Sequence, residues 1–406
     1  MAVQFSVAAP LAAPQAGEVT VCTWLGCKSG AVSYTQDDHG NVLGDNSCRT
    51  QLEHDGLRGT FFFDGLDVTT TWMTDYVAAG HEIGSHLTSH LANCQMPHPT
   101  CEPNCTLADL RLTPYTQTVV EDFRENQIDL NVSLIESYTN QPVVSMAYPC
   151  GSTDANRMAA SDLYFLSARG YYNRDDGADF PWITYTNGAT LPDAMLINSD
   201  GVGWQRLTDE AISEGKWAVL TMHDYCFGVG DDSSYIVSRT NSLWVAPVGE
   251  VLKYIKVRDA FRFGNYVSAY NSINFDAGHS LNTMTRQTFT GTTLLPIVFD
   301  NPVTLNVDVP IDKGVSTVLV DGVPVSFTTM GITNSVHSVL FTTTLGITRH
   351  VSISLTGPTT VQLQDFDANS DSELGHNLGW LFAMILMGTG GLVGVMRANR
   401  RQARPQ

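Results

Sequence analysis

A chain of 406 residues is too long for one average hydrophobic core, and two domains are expected. Its formal net charge of -19 excludes the basic surface that a phosphate backbone requires, so nucleic acid is not an expected partner. The eight cysteines all fall in the first 226 residues, which points to disulfides within one domain and an oxidising compartment.

The chain opens with an apolar, small-residue segment over 1–20. It has no Lys or Arg before Pro10 and Pro14 interrupt it, and it reads as a degenerate or truncated export signal. Residues 32–35 are a short β-type run ending in Gln36-Asp37-Asp38, and 59–64 are a second, aromatic run. A helix is expected over 68–79, stopped by Gly80, then a strand over 81–85. A Pro-rich loop with Cys94, Cys101 and Cys105 follows. A disulfide staple is expected there, with a structural zinc site including His98 as the alternative. Residues 107–137 read as a long helical region, 142–148 as a strand, and 161–169 as a helix stopped by Gly170. A strand over 194–198, a helix over 208–214, a strand over 217–222 and a helix over 247–261 complete the alternation.

Strands alternating with helices imply βα units and a mostly parallel sheet. Asp37, Asp38, His86, Tyr148-Pro149 and His223 all fall at strand carboxyl ends. In parallel barrels, loops build active sites on that rim.

From about residue 280 the pattern changes to short alternating β runs, with a hairpin-type Asp321-Gly322. A small β-sandwich over 280–363 is expected, reading as a spacer because no aromatic platform marks it as carbohydrate-binding. Asp365, Asp367, Asn369 and Asp371 alternate like a calcium loop. Ser370 and His376 stand where Gly and Glu are required, so 364–377 reads as an acidic linker. Residues 378–396 carry no charge and are long enough to span a bilayer. Arg397, Arg400, Arg401 and Arg404 follow, so a transmembrane helix is expected, with 397–406 as a cytoplasmic tail and the body outside.

The chemistry centres on residues 80–90, GHEIGSHLTSH, where His86 and His90 stand four apart. If the chain turns helical after His86, the two imidazoles share a face and can converge on one metal ion. Asp38 would complete a three-ligand set that leaves room for water. Asp37 would act as base, His223 as acid to the departing group, and a backbone N–H near Cys150-Gly151 as oxyanion donor. Together these describe hydrolysis of an amide or ester. Two sequons, at Asn104 and Asn131, are acceptors if the host glycosylates.

The order of these motifs resembles the NodB-like polysaccharide deacetylases, carbohydrate esterase family 4. Thr35-Gln36-Asp37-Asp38-His39 answers that family's T-F-D-D-G, and His86-Leu87-Thr88-Ser89-His90 its paired-histidine motif, preceded by the familiar GHEIG. Gly59–Phe63 resembles its A-T-F-F strand, Tyr148-Pro149-Cys150-Gly151 its Y-P-Y-G form, and Leu220-Thr221-Met222-His223-Asp224 its L-x-H. The likeness spans about residues 32–224. It implies a distorted (β/α) barrel over 21–279. It also implies Asp38, His86 and His90 as ligands to a divalent metal, with zinc the default and cobalt, nickel or manganese compatible.

By the same likeness Asp37 is the base, His223 the acid and the Cys150 N–H the oxyanion donor. Asp200, with Trp204 nearby, answers the fourth motif; Asp179 with Trp182 is the weaker candidate. Tyr148, Pro149 and Trp204 would then face an acetylated glycan. Gln36, His39 and Cys150 depart from the family pattern, and Ala147 stands where the family often has an arginine that orients the base. A Cys150–Cys226 disulfide beside the site is expected. The function implied is removal of acetyl groups from glycans by a membrane-anchored, extracytoplasmic enzyme. A hydrolase of a small non-glycan amide, or an inactive glycan-binding surface protein, are the alternatives that acetate release would separate.

Overall fold

Five strands before residue 223 are buried along their whole length: Gly30–Gln36, Gly59–Phe63, Ser145–Ala147, Ser167–Arg169 and Trp217–Met222. Strands covered on both faces belong inside parallel sheets. The computed structural model of the chain describes residues 19–38, 47–65, 71–88, 121, 123–149, 155–170, 194–198, 204–222, 229–333, 336–346 and 348–357.

In chain order the elements of the first half are β1 (Val19–Val21), β2 (Gly30–Gln36), α1 (Ser47–His54), β3 (Gly59–Phe63), α2 (Thr71–Ala78) and β4 (Glu82–Ser85). A π-helical stretch, Arg124–Asp129, runs into α3 (Leu130–Thr139), followed by β5 (Ser145–Ala147), α4 (Ala155–Ser161) and β6 (Ser167–Arg169). Then come β7 (Ala194–Asn198), α5 (Trp204–Glu214), β8 (Trp217–Met222), α6 (Val229–Ser238), β9 (Leu243–Val245) and α7 (Val248–Asp259).

Seven of these strands form one sheet in the order β6-β5-β4-β3-β2-β8-β7, with β9 beside the first residues of β2. The neighbours are parallel. No pairing of β6 with β7 closes the sheet among the described residues. It is a half-barrel, consistent with the expected (β/α) architecture.

The stretch 161–169 is not the helix expected. The helix ends at Ser161, and Ser167–Arg169 is a strand paired with β5. From Tyr164 to Arg169 every residue is buried, so that part of the segment has no exposed face to make it amphipathic. A short apolar run has no period that tells strand from helix.

The rest of the described chain is antiparallel: β10 (Phe261–Ala269), β11 (Ser272–His279), β12 (Pro302–Pro310), β13 (Gly314–Val320), β14 (Val323–Val325), β15 (Phe327–Thr333), β16 (Val336–Thr344) and β17 (Arg349–Thr356). Two sheets result, β1-β12-β16-β15 and β10-β11-β17-β13-β14. The expected boundary at 280 therefore falls too late. Strands β10 and β11 pair into the sandwich through β17, and β1 pairs with β12. The interval before β12 holds only two isolated bridges among the described residues, Met284–Ile297 and Gln287–Thr293. It is a strap across α3 rather than a sheet strand. Asp321 and Gly322 both have positive φ, 51° and 80°, as the β13–β14 hairpin turn requires.

Helix α7 joins half-barrel and sandwich into one core. Its Val251, Leu252, Tyr254, Ile255 and Val257 are buried in a cluster that also holds Trp217 and Val219 of β8 and Ile273, Val303 and Val351 of the sandwich. Pro247 caps α7 without a side-chain acceptor. The half-buried Glu82 carboxylate does that work from β4, accepting the Gly249 N–H at 2.7 Å and the Thr60 and Ser145 hydroxyls at 2.7 and 2.9 Å. An acceptor at a helix N-terminus satisfies an orphan donor and meets the positive end of the dipole.

Cys22 and Cys27 form a disulfide, with Cα atoms 4.9 Å apart, and Cys48 is also disulfide-bonded. Cys94, Cys101, Cys105 and His98, and the expected Cys150–Cys226 pair, lie outside the described residues. So do the linker, the charge-free run 378–396 and the Arg-rich tail. Among the described residues no helix is long and apolar enough to cross a membrane.

His81, just before β4, has a fully buried side chain whose Nδ1 accepts the Gly59 N–H at 3.1 Å. Burial pushes its pKa down to about 4, from 6.5. Stability from the neutral ring is complete above pH 6.5 and lost as pH falls toward about 4. Unfolding free energy of the wild type should fall across that window by roughly 2–3 kcal/mol more than that of His81→Gln. Urea titrations at several pH values check this. Parallel curves for the two proteins would refute it.

Candidate active site

At the carboxyl end of β2, the Asp37 N–H donates to the Met222 carbonyl at 2.9 Å and prolongs the pairing with β8. The Asp37 side chain points inward and is 3% exposed. Asp38 then takes φ 58°, in the left-handed region that Asp tolerates better than most residues. That single turn sends two adjacent carboxylates into one site from two directions.

Asp37 receives the Arg169 guanidinium, which enters from β6 and also donates to Thr35 Oγ1 at 3.2 Å. Asp38 Oδ1 lies 3.1 Å from His86 Nε2. The His86 backbone N–H donates to the Phe63 carbonyl at 2.7 Å, and its Nδ1 meets the Ala147 carbonyl at 2.8 Å. A carbonyl only accepts, so the Nδ1 proton is spent there. Nε2 therefore turns a lone pair toward a carboxylate oxygen unless a cation lies between them. Burial opposes charge on His86. The hydrogen bond to Asp38 and the charges of Asp37 and Asp38 outweigh it, and the pKa rises above the ordinary histidine value. The pair is thus built to share a cation, which fits the donor chemistry of a divalent metal site. His90, the third expected ligand, lies outside the described residues, and no group of three potential ligands gathers among those described.

A family model described as polysaccharide deacetylase matches residues 28–165, the segment holding Asp37, Asp38 and His86. This segment is a polysaccharide deacetylase domain. Among solved structures, the chain resembles a family 4 carbohydrate esterase from Streptomyces lividans in complex with acetate. Identity is 18%, covering 54% of this chain and 92% of that one, with a TM-score of 0.34. It also resembles a family 4 acetyl xylan esterase from Clostridium thermocellum in complex with a cobalt ion, at 14% identity, 55% and 91% coverage and TM-score 0.35. A third is a family 4 pseudoenzyme from Bacillus anthracis, at 17% identity, 55% and 65% coverage and TM-score 0.32. No curated protein matches.

The other residues expected at the deacetylase site divide. Tyr148 and Pro149 are buried; the Tyr148 hydroxyl donates to Ser161 Oγ at 2.9 Å and its N–H to the Arg169 carbonyl at 2.8 Å. They brace β5 and β6 rather than face a glycan. Trp204 is 1% exposed and packs edge-on against Tyr34 at 5.6 Å, so it is core rather than substrate platform. An indole beside a strand–helix turn is drawn into the helix–sheet layer by its apolar area. Asp200, Asp179, Trp182, Cys150, Cys226 and His223 lie outside the described residues.

Two residues beside the site were not read from the sequence as belonging to it. Asn131 of α3 is fully buried and clamps the loops after β3 and β4. Its Nδ2 donates to the Phe63 and Leu87 carbonyls at 3.2 and 3.0 Å, and its Oδ1 accepts from Ser85 Oγ at 2.7 Å. It is therefore not an accessible glycosylation acceptor. The clamp helps hold Leu87 at φ 68°, a strained value for a bulky side chain, directly after His86. Arg169 is the second. Its only sequence signal is a lone cation ending an apolar run, YFLSAR, before a glycine.

Proposed function

We propose that the domain is a metal-dependent hydrolase that removes acetyl groups from N- or O-acetylated glycans. The observation that carries this reading is the buried Asp37 beside the Asp38–His86 contact of 3.1 Å, within a segment matched as polysaccharide deacetylase. Asp38 and His86, with His90, would hold the metal; zinc is the default, and cobalt, nickel or manganese suit the same donors. When bound, such a cation supplies Lewis acidity to the acyl group and to water. Asp37 takes the proton of the attacking water, and the backbone N–H of Cys150 donates to the developing oxyanion. His223 then gives a proton to the departing amine or hydroxyl of the sugar. The cysteine-bearing body is proposed to work outside the cytoplasm, anchored by the run 378–396.

Acetate release from chitin oligosaccharides and acetylated xylan oligosaccharides tests the reading. Release is expected with the metal-loaded protein, its loss with chelator, and its return on adding zinc or cobalt. Absence of acetate from every such glycan, with metal binding demonstrated by calorimetry, would sink it.

A further inference from the structure

The Arg169 guanidinium is buried, with its side chain 4% exposed. Its hydrogen bonds among the described residues all go to the end of β2, to Thr35 Oγ1 and Asp37 Oδ1. It rests on the Phe62 ring, 4.8 Å from the centroid. The ring in turn fills space that only glycine leaves, since a Cβ at Gly84 would fall 2.5 Å from it. A buried cation with one buried counter-charge is expensive to assemble and rigid once made. It leaves Asp37 asymmetric: Oδ1 is engaged, and Oδ2 accepts no hydrogen bond among the described residues.

Register explains why the arginine can stand on β6. Arg169 pairs with Ala147 of β5, and paired residues of parallel strands present side chains to the same face. Ala147, fully buried, contributes only a methyl there. The guanidinium ends at the rim of β2, on Thr35 and Asp37.

We propose that Arg169 is the positioning residue for Asp37, holding one carboxylate oxygen and its charge so that the other oxygen faces the reacting water. This rests on the reading of Asp37 as the base. It acts through Asp37 and touches neither substrate nor metal.

Three variants test it: Arg169→Ala, Arg169→Lys, and a swap combining Arg169→Ala with Ala147→Arg. Arg169→Ala is expected to lower kcat by about 10²-fold with KM within about threefold. Arg169→Lys, which keeps the charge but loses the fork, should fall between it and the wild type. The swap should regain tenfold or more over Arg169→Ala, because the guanidinium is returned to the same face from the neighbouring strand. Zinc affinity by calorimetry should change by less than about fivefold in all three. If Arg169→Ala does not fold, the lysine variant and the swap decide. Wild-type kcat in either Arg169→Ala or Arg169→Lys overturns the proposal, as does a folded swap no faster than a folded Arg169→Ala. Failure of the wild type to release acetate marks a failed base reading, and the proposal falls with it. An active wild type with an equally active Arg169→Ala overturns the positioning role alone.

Discussion

Arg286→Met is expected to cost about 3–5 kcal/mol of folding stability, a large part of what a domain has. The Arg286 side chain is wholly buried, and its ion pair with Glu136 of α3 is shielded from water. Its remaining donors reach the Val143 carbonyl at 3.0 Å, the Tyr164 carbonyl at 3.1 Å and the Leu295 carbonyl at 3.2 Å. Glu136 accepts in addition the N–H of Val143 at 3.0 Å and of Leu295 at 2.8 Å. One ion pair thus ties together α3, the approaches to β5 and β6, and the strap that leads into the sandwich. Truncating the arginine leaves a buried carboxylate without its cation and takes the donor from three carbonyls, those of Val143, Tyr164 and Leu295. Adding Glu136→Gln removes the stranded charge while keeping an acceptor, and should recover about half the loss. Urea unfolding of the three proteins measures this. A loss below about 1 kcal/mol for Arg286→Met would show that the strap is held by its apolar contacts instead.

The largest effect on activity is expected from Asp37→Asn, with kcat lower by about 10²–10⁴-fold. Asparagine has the same shape and can still accept from Arg169 through its oxygen, but it takes no proton from water. Metal binding should survive, because Asp38 and His86 are untouched. The melting temperature should also fall, because Arg169 loses the one carboxylate it meets among the described residues. Acetate assays beside calorimetric zinc titrations separate the two effects. A variant within tenfold of wild-type kcat would remove Asp37 from the mechanism.

Strands β7 and β8 lie where their sequence places them, residue for residue, because an uninterrupted apolar run bounded by polar or turn residues needs no further context. Asp37, Asp38 and His86 were legible for a related reason. Each follows such a run, and the end of a strand is where a parallel sheet exposes polar groups. Strands β10 and β11 were left inside the barrel domain, 21–279, because nothing local in FRFGNYVSA names its pairing partner, which is the distant β17 through β11. The strap before β12 was taken for strands because threonine and apolar residues suit an edge, whereas Arg286 draws it onto α3.

Taken alone, the sequence determined the alternation of strand and helix, the residues at the strand ends and the family they resemble. All of these are written in local burial patterns and short spacings. The lateral order of the strands was decided only in three dimensions. It sets β6 beside β5, so that Arg169 meets Asp37 across 132 residues of chain. It also buries Asn131 under the loop after His86, and turns Trp204 and Tyr148 inward. Such pairings are selected by competition for buried area and for partners to buried polar groups, a competition among all the segments at once.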